Sequence, residues 1–201
     1  MVVPPNTPCC PGQIPLPDAK PALRRHFRAL RAAHVAALSP ADRDRDERAL
    51  AAIVMPLLGT ATPASYAAMG AEIDPAAIAH LLETVAFPRI SGKDLVFHIA
   101  TLAQLTPGYG NIPEPAASAP VIAPAVLLVP LLAATPDGAR LGQGGGFYDR
   151  SLRALRQRHP VTAIGLAWDV QMTDTLPNEP WDERLDYIAT PTRLVDCAGN
   201  R

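Results

Sequence analysis

Val126-Leu-Leu-Val129, and shortly after it Arg140-Leu-Gly-Gln-Gly-Gly-Gly-Phe-Tyr-Asp149-Arg150, hold the reading that decides the fold. A short run that is apolar at every position is the mark of a strand covered on both faces. The four glycines behind it, Gly142, Gly144, Gly145 and Gly146, allow positive φ and can turn consecutive amides toward one point. From about Gly146 to Arg158 the pattern predicts a helix. Strand, glycine loop and helix in that order form an anion cradle, because a helix N-terminus adds positive potential to the exposed amides. Arg140 on the rim could clamp a phosphoryl oxygen and Asp149 could hold a metal ion. Three plainer readings stand beside these: a tight turn for the glycines, a structural ion pair for Arg140, and a dipole-complementing carboxylate for Asp149. The stretch matches neither Gly-x-Gly-x-x-Gly, since residue 147 is Phe, nor a P-loop, since no Gly-Lys-Ser/Thr follows.

Working outward, Leu23, Phe27, Leu30 and His34 recur at helical spacing, with Arg24, Arg25, Arg28 and Arg31 largely on other faces. Ser39-Pro40, with Asp42 behind it, is a helix-start signature ahead of Leu50, Ile53, Val54 and Leu57, and that second helix is expected to end near Pro56. Asp74-Pro75 introduces a third, carrying Ile78, Leu81 and Leu82. Strands are expected at Ser65–Met69, Thr84–Phe87, Leu95–Ala100 and Thr162–Ala167, and a long surface loop over Thr106–Pro124. Strands alternating with helices predict an α/β domain with a mainly parallel sheet over residues 19–195. Residues 1–18, broken by six prolines, read as a disordered leader, and 196–201 as a C-terminal tail.

Composition narrows the function. The 201 residues are 48% apolar, enough to bury a core, and 18 Lys+Arg against 19 Asp+Glu leave a net charge of −1. Such a balance provides no broad field for nucleic acid or an anionic membrane surface. Val121–Ala134, the longest apolar stretch, is interrupted by Pro124 and Pro130, so no membrane span is expected, and the proline-broken N-terminus, without a charged start and an apolar run, predicts no secretion signal. Cys9, Cys10 and Cys197 make an uneven set, which points to a reducing cytoplasm. The five histidines lack metal-ligand spacing.

The segment from Arg140 to Arg150 resembles the signature of the 5-formyltetrahydrofolate cyclo-ligase (5,10-methenyltetrahydrofolate synthetase) family. The resemblance runs from Lys20-Pro-Ala-Leu-Arg24 through Met69 and Glu72, Pro88-Arg89, Ile112-Pro-Glu-Pro115 and Leu128-Val-Pro130. Beyond the glycine loop it continues through Gly165-Leu-Ala, Gln171, Pro177, Trp181-Asp182 and Ile188-Ala-Thr-Pro191. The chain departs from the pattern at Ala134-Thr135, where Phe-Asp is common, at Phe147 in place of tyrosine, and at Gln143.

This resemblance implies a single three-layer α/β/α domain that closes 5-formyltetrahydrofolate to 5,10-methenyltetrahydrofolate with ATP and Mg²⁺, releasing ADP and phosphate. It assigns Lys20, Arg24, Arg140, Gly142, Gly144, Gly145, Gly146, Phe147 and Tyr148 to ATP, with Arg140 also catalytic. Ala67, Met69, Glu72 and Gln143 fall to the folate, and Asp149 and Asp182 to the metal. Without it, Lys20 and Arg24 would read as a solvated helix face, Asp182 as a turn residue and Met69 as core. The implied partners are small molecules, with the chain a monomer or weak oligomer. Two other functions stay open: a paralogue of the same fold acting on another formylated or phosphorylated small molecule, and a non-catalytic nucleotide- or folate-binding protein.

Overall fold

A computed structural model describes residues 16–200. Helices α1 (Leu16–Ala37), α2 (Pro40–Leu58) and α3 (Ala76–His80) precede strands β1 (Ala86–Ser91) and β2 (Asp94–Ile99). Three two-residue strands follow, β3 (Thr106–Pro107), β4 (Pro113–Glu114) and β5 (Val121–Ile122), then β6 (Val126–Pro130), β7 (Ala133–Ala134) and β8 (Arg140–Leu141). The chain closes with α4 (Phe147–Arg156), β9 (Thr162–Leu166), β10 (Tyr187–Ala189) and β11 (Leu194–Asp196).

Strand β6 pairs in parallel with β9, and β9 with β10. On the other side, Ala64 bridges in parallel to both Ala86 of β1 and Leu127 of β6, joining the β1-β2-β5 group to this core. The mixed sheet corrects the expectation of a mainly parallel one: β1 with β2, β2 with β5 and β10 with β11 are antiparallel. The reason is connection length. Only Gly92 and Lys93 separate β1 from β2, and a parallel pair needs a crossover of a dozen or more residues.

Alternation along β6 divides the core. Leu127 and Val129 face Leu152 and Leu155 of α4, while Val126 and Leu128 face Leu50, Ala51 and Val54 of α2. Helices therefore cover both faces, as the unbroken apolar run of β6 requires. Burying each of these leucines and valines contributes about 1.5–3 kcal/mol against exposure. Phe27 anchors α1 on Leu132 and Leu141 of the β7–β8 region, and His34 meets the Trp168 ring at 5.2 Å. Ser39 caps α2 by accepting the Asp42 amide, and Gly59 ends it two residues beyond the expected stop at Pro56. No helix among the described residues is long and apolar enough to cross a membrane.

Several local expectations need correction. Ser65–Met69 forms no strand; only Ala64 pairs, after which the chain leaves the sheet. The strand expected to stop before Pro88 runs on to Ser91. Ala86 bonds the Pro63–Ser65 backbone, so Pro88, two residues on, aims its missing N–H at the same side, past the end of that segment. The long loop contains the short β3–β4 and β5 pairings. Helix α1 begins at Leu16, inside the span read as a leader, the rest of which lies outside the described residues. The expected tail is tied down: Asp196 pairs with Tyr187, and Cys197 is fully buried with its amide donating to the Asp186 carbonyl.

Candidate functional site

A cleft of about 880 Å³ opens where the glycine loop, the start of α1, the segment after Ala64 and the chain around residues 179–182 converge. The loop is shaped by backbone conformation: Gly144 has φ +105° and Gly146, which begins α4, φ +65°, a region that side chains with a Cβ rarely adopt. Gly146 offers no capping side chain, and the amides of residues 142–149 donate no hydrogen bond among the described residues. These donors, at the positive end of a ten-residue helix, suit a bound anion.

Arg140 lies almost wholly buried beside the loop. Its Nη2 donates to Oδ1 of Asp149 at 2.7 Å and its Nη1 to the Glu183 carbonyl, while the Glu183 amide donates to the same Asp149 oxygen at 3.0 Å. Burial pulls the Arg140 guanidinium below its ordinary range, opposed by the charges of Asp149 and Asp182. Opposite it, Lys20 donates to Asp182 at 2.7 Å and to Glu179 at 2.9 Å, and Asp182 also accepts the Glu179 amide at 2.9 Å. Burial acts against the Lys20 ammonium, but these two carboxylates outweigh it and hold its pKa above the usual value. Arg24 donates to the Gly142 carbonyl at 3.0 Å, tying α1 to the glycine loop.

The remaining wall is more apolar, with Tyr66, Ala67 and Met69 beside the buried Glu72. Oε2 of Glu72 accepts the Met69 amide at 3.0 Å. Burial raises the phenols of Tyr66 and Tyr148 well above their ordinary range, so both stay neutral. Tyr109 and Trp181 line the cleft with most of their surface exposed, and Tyr109 meets Phe147 edge-on at 6.5 Å.

Every position singled out in the sequence lines this one cleft: Lys20, Arg24, Ala67, Met69, Glu72, Arg140, Gly142 to Asp149, and Asp182. Two details differ from the sequence reading. The Gln143 amide oxygen is engaged by Arg28 at 2.7 and 3.0 Å. Arg31, read as lying away from the apolar face of α1, is buried, with Nη1 3.6 Å from Oε1 of Glu72. Glu179, Tyr109 and Arg31 were not picked out as site residues; only the acidic pair flanking Trp181 gave a local signal for Glu179. Ala134 and Thr135 are buried in the β7–β8 hairpin and do not line the cleft.

The family model of the 5-formyltetrahydrofolate cyclo-ligases matches residues 17–191. The chain belongs to that family. A 5-formyltetrahydrofolate cyclo-ligase from Escherichia coli (strain K12) is 44% identical over 69 residues, which are 34% of this chain and 37% of the relative. One from Mycolicibacterium smegmatis is 41% identical over 70 residues, 35% of each chain. The chain thus spans little more than a third of the curated cyclo-ligases it matches by sequence. The fold is shared more widely. The NMR structure of the Aquifex aeolicus 5,10-methenyltetrahydrofolate synthetase superposes with a TM-score of 0.74 at 23% identity, covering 89% of this chain and 92% of that one.

The donor chemistry of the cleft fits the Mg²⁺ that the family resemblance implies. Asp149 and Asp182 are hard oxygen donors, and each keeps one carboxylate oxygen clear of any hydrogen bond among the described residues. No group of three or more His, Cys, Asp or Glu that could hold a metal ion comes together among the described residues. Two carboxylates completed by water and phosphate oxygens are what Mg²⁺ usually takes.

Proposed function

We propose that this protein converts 5-formyltetrahydrofolate to 5,10-methenyltetrahydrofolate, consuming ATP and releasing ADP and phosphate. The observation that carries the reading is the cleft in which uncapped loop amides, the cations of Lys20, Arg24 and Arg140, and the carboxylates of Asp149 and Asp182 share walls with the Tyr66–Glu72 segment. The formyl oxygen is a poor leaving group, so it first attacks the γ-phosphorus of ATP and ADP departs. Folate N10 then attacks the activated formyl carbon, loses its proton, and the C–O bond breaks to release phosphate.

In this reading the amides of the glycine loop hold the phosphates, and Lys20 and Arg24 fix the nucleotide from the start of α1. Arg140 meets the charge that grows on the transferring group. Its bonds to Asp149 and Glu183 hold the guanidinium in place without reorganisation during transfer. Asp149 and Asp182 would hold Mg²⁺, which neutralises phosphate charge and favours in-line transfer when bound. Glu72 faces the formyl-bearing end of the folate, and Ala67 and Met69 pack on its ring. The uneven cysteine set supports a cytoplasmic setting, with the chain a monomer or weak oligomer.

Neither alternative gains from the geometry. Ala134-Thr135, the departure from the family pattern that would speak for a paralogue, lies outside the cleft. A pure binder has no need for a buried arginine locked beside a carboxylate at the phosphate loop. The test mixes the full chain with ATP, Mg²⁺ and 5-formyltetrahydrofolate. One ADP formed per folate consumed is expected; ADP without folate loss, or ligand binding without turnover, would overturn the reading.

A further inference from the structure

Arg31 is the least explained charge in the molecule. It is 7% exposed, on a helix whose other arginines reach solvent or the cleft rim, and its Nε is buried without a hydrogen-bond partner. Its Nη1 lies 3.3 Å from the Leu131 carbonyl, at the end of β6, and 3.6 Å from Oε1 of Glu72. Leu131 and Glu72 both line the cleft, whereas Arg31 stands behind them. A guanidinium taken out of water costs several kcal/mol, and a buried pair of this kind is often no more stable than an apolar replacement. Fold stability alone therefore gives little reason for it.

Its geometry gives a better one. The two oxygens of Glu72 have different neighbours: the Met69 amide donates to Oε2 at 3.0 Å, and the Arg31 charge faces Oε1. At 3.6 Å the guanidinium is too far for a closed hydrogen bond but close enough for its charge to hold the carboxylate in place. Oε1 thus remains an acceptor for a ligand N–H, aimed by a neighbour that does not consume it. A bidentate Arg–Glu pair would have used up that capacity.

We propose that Arg31 is a positioning residue for the folate: from behind the wall its charge, facing Oε1, holds Glu72 in orientation, and so sets affinity for the formylated substrate without touching it. The inference rests on the cyclo-ligase reading of the cleft and adds a residue to it.

The test is a double-mutant cycle on the full chain with Arg31→Met, Glu72→Gln and both together, reading KM for 5-formyltetrahydrofolate, KM for ATP and kcat. Methionine fills the space of the arginine stem, and circular dichroism checks that each variant is folded. Arg31→Met is expected to raise the folate KM about tenfold while the ATP KM stays within about twofold. Arg31→Lys, which keeps the charge, should restore most of that loss. The double variant should bind folate no worse than Glu72→Gln alone, because a positioning residue has nothing to act on once its target is neutral. Additive losses, an unchanged folate KM in Arg31→Met, or equal losses for both substrates would reduce Arg31 to a structural role and overturn the proposal. If Arg31→Met does not fold, Arg31→Gln, which is neutral but keeps a polar end, takes its place in the cycle and decides by the same criterion of additivity. Wild-type turnover is measured in the same series, so its absence marks failure of the cyclo-ligase reading, and failure of the cycle alone marks failure of this one.

Discussion

Removing the Arg140 guanidinium takes away two anchors at once, the bond to Asp149 and the bond to the Glu183 carbonyl, as well as the charge beside the glycine loop. Arg140→Ala is therefore expected to lower kcat about a hundredfold or more, with the folate KM little changed, measured by steady-state ADP release. Arg140→Lys should recover only part of this, since an ammonium cannot hold Asp149 and Glu183 from one planar fork. The two carboxylates separate from it by their ligand. Asp149→Asn and Asp182→Asn should each raise the Mg²⁺ concentration needed for half-maximal rate, and excess metal should partly rescue both. Wild-type Mg²⁺ dependence in both variants would remove the metal role from these residues. Glu72→Gln is expected to weaken folate and leave ATP binding intact by calorimetry.

In the proposed reading the glycine loop acts through backbone geometry, and this makes it testable element by element. A Cβ at Gly146 would sit in the left-handed region and 2.8 Å from Nη1 of Arg150. The arginine tip can move aside, so the cost is mainly backbone strain of about 1–2 kcal/mol. Gly146→Ala should lose that much stability in urea unfolding, and nucleotide affinity should fall with it because the uncapped amides shift. The order β6, glycine loop, α4 was legible because each part is local: an apolar run, a glycine cluster and an amphipathic stretch that begins at Phe147. Strand direction was not, because it turns on whether two residues or a helix join the strands, and Gly92-Lys93 sits between runs that look alike in either arrangement. Ser65–Met69 misled for a related reason. Residues that wall a cleft are as apolar as residues in a sheet, and Ala67 and Met69 do the former. Arg31 escaped notice because a charged residue off the apolar stripe reads as solvated, and only the tertiary contact of α1 with Leu131 and Glu72 buries it.

At the scale of the molecule, the site depends on how the chain around residues 179–186 is fastened to the β7–β8 hairpin and α4. Glu183 accepts from Arg153 and Arg156, Arg156 also reaches Asp186, and the Leu185 amide donates to the Gly138 carbonyl. Arg184 closes the set by donating to Asp137 in the hairpin turn, where the Thr135 hydroxyl also donates to the same carboxylate. The Thr135 hydroxyl, then Arg184, hold the Asp137 carboxyl down to about 2. A carboxylate depressed in the folded state contributes stability that is present above its unfolded value of about 3.9 and is lost as pH falls through the folded value. Asp137 therefore supports the fold at neutral pH, and its contribution fades between about pH 4 and pH 2. Because 39% of its side chain is exposed, solvent screening trims this to about 1 kcal/mol. Asp137→Asn should melt a few degrees below wild type at pH 6, and the two melting curves should draw together as the pH approaches 2. Equal melting at pH 6 would mean that the turn is held by the asparagine-compatible hydrogen bonds of Thr135 and Ala139, and that the charge of Asp137 does not fasten Arg184 and the Asp182–Glu183 segment behind it.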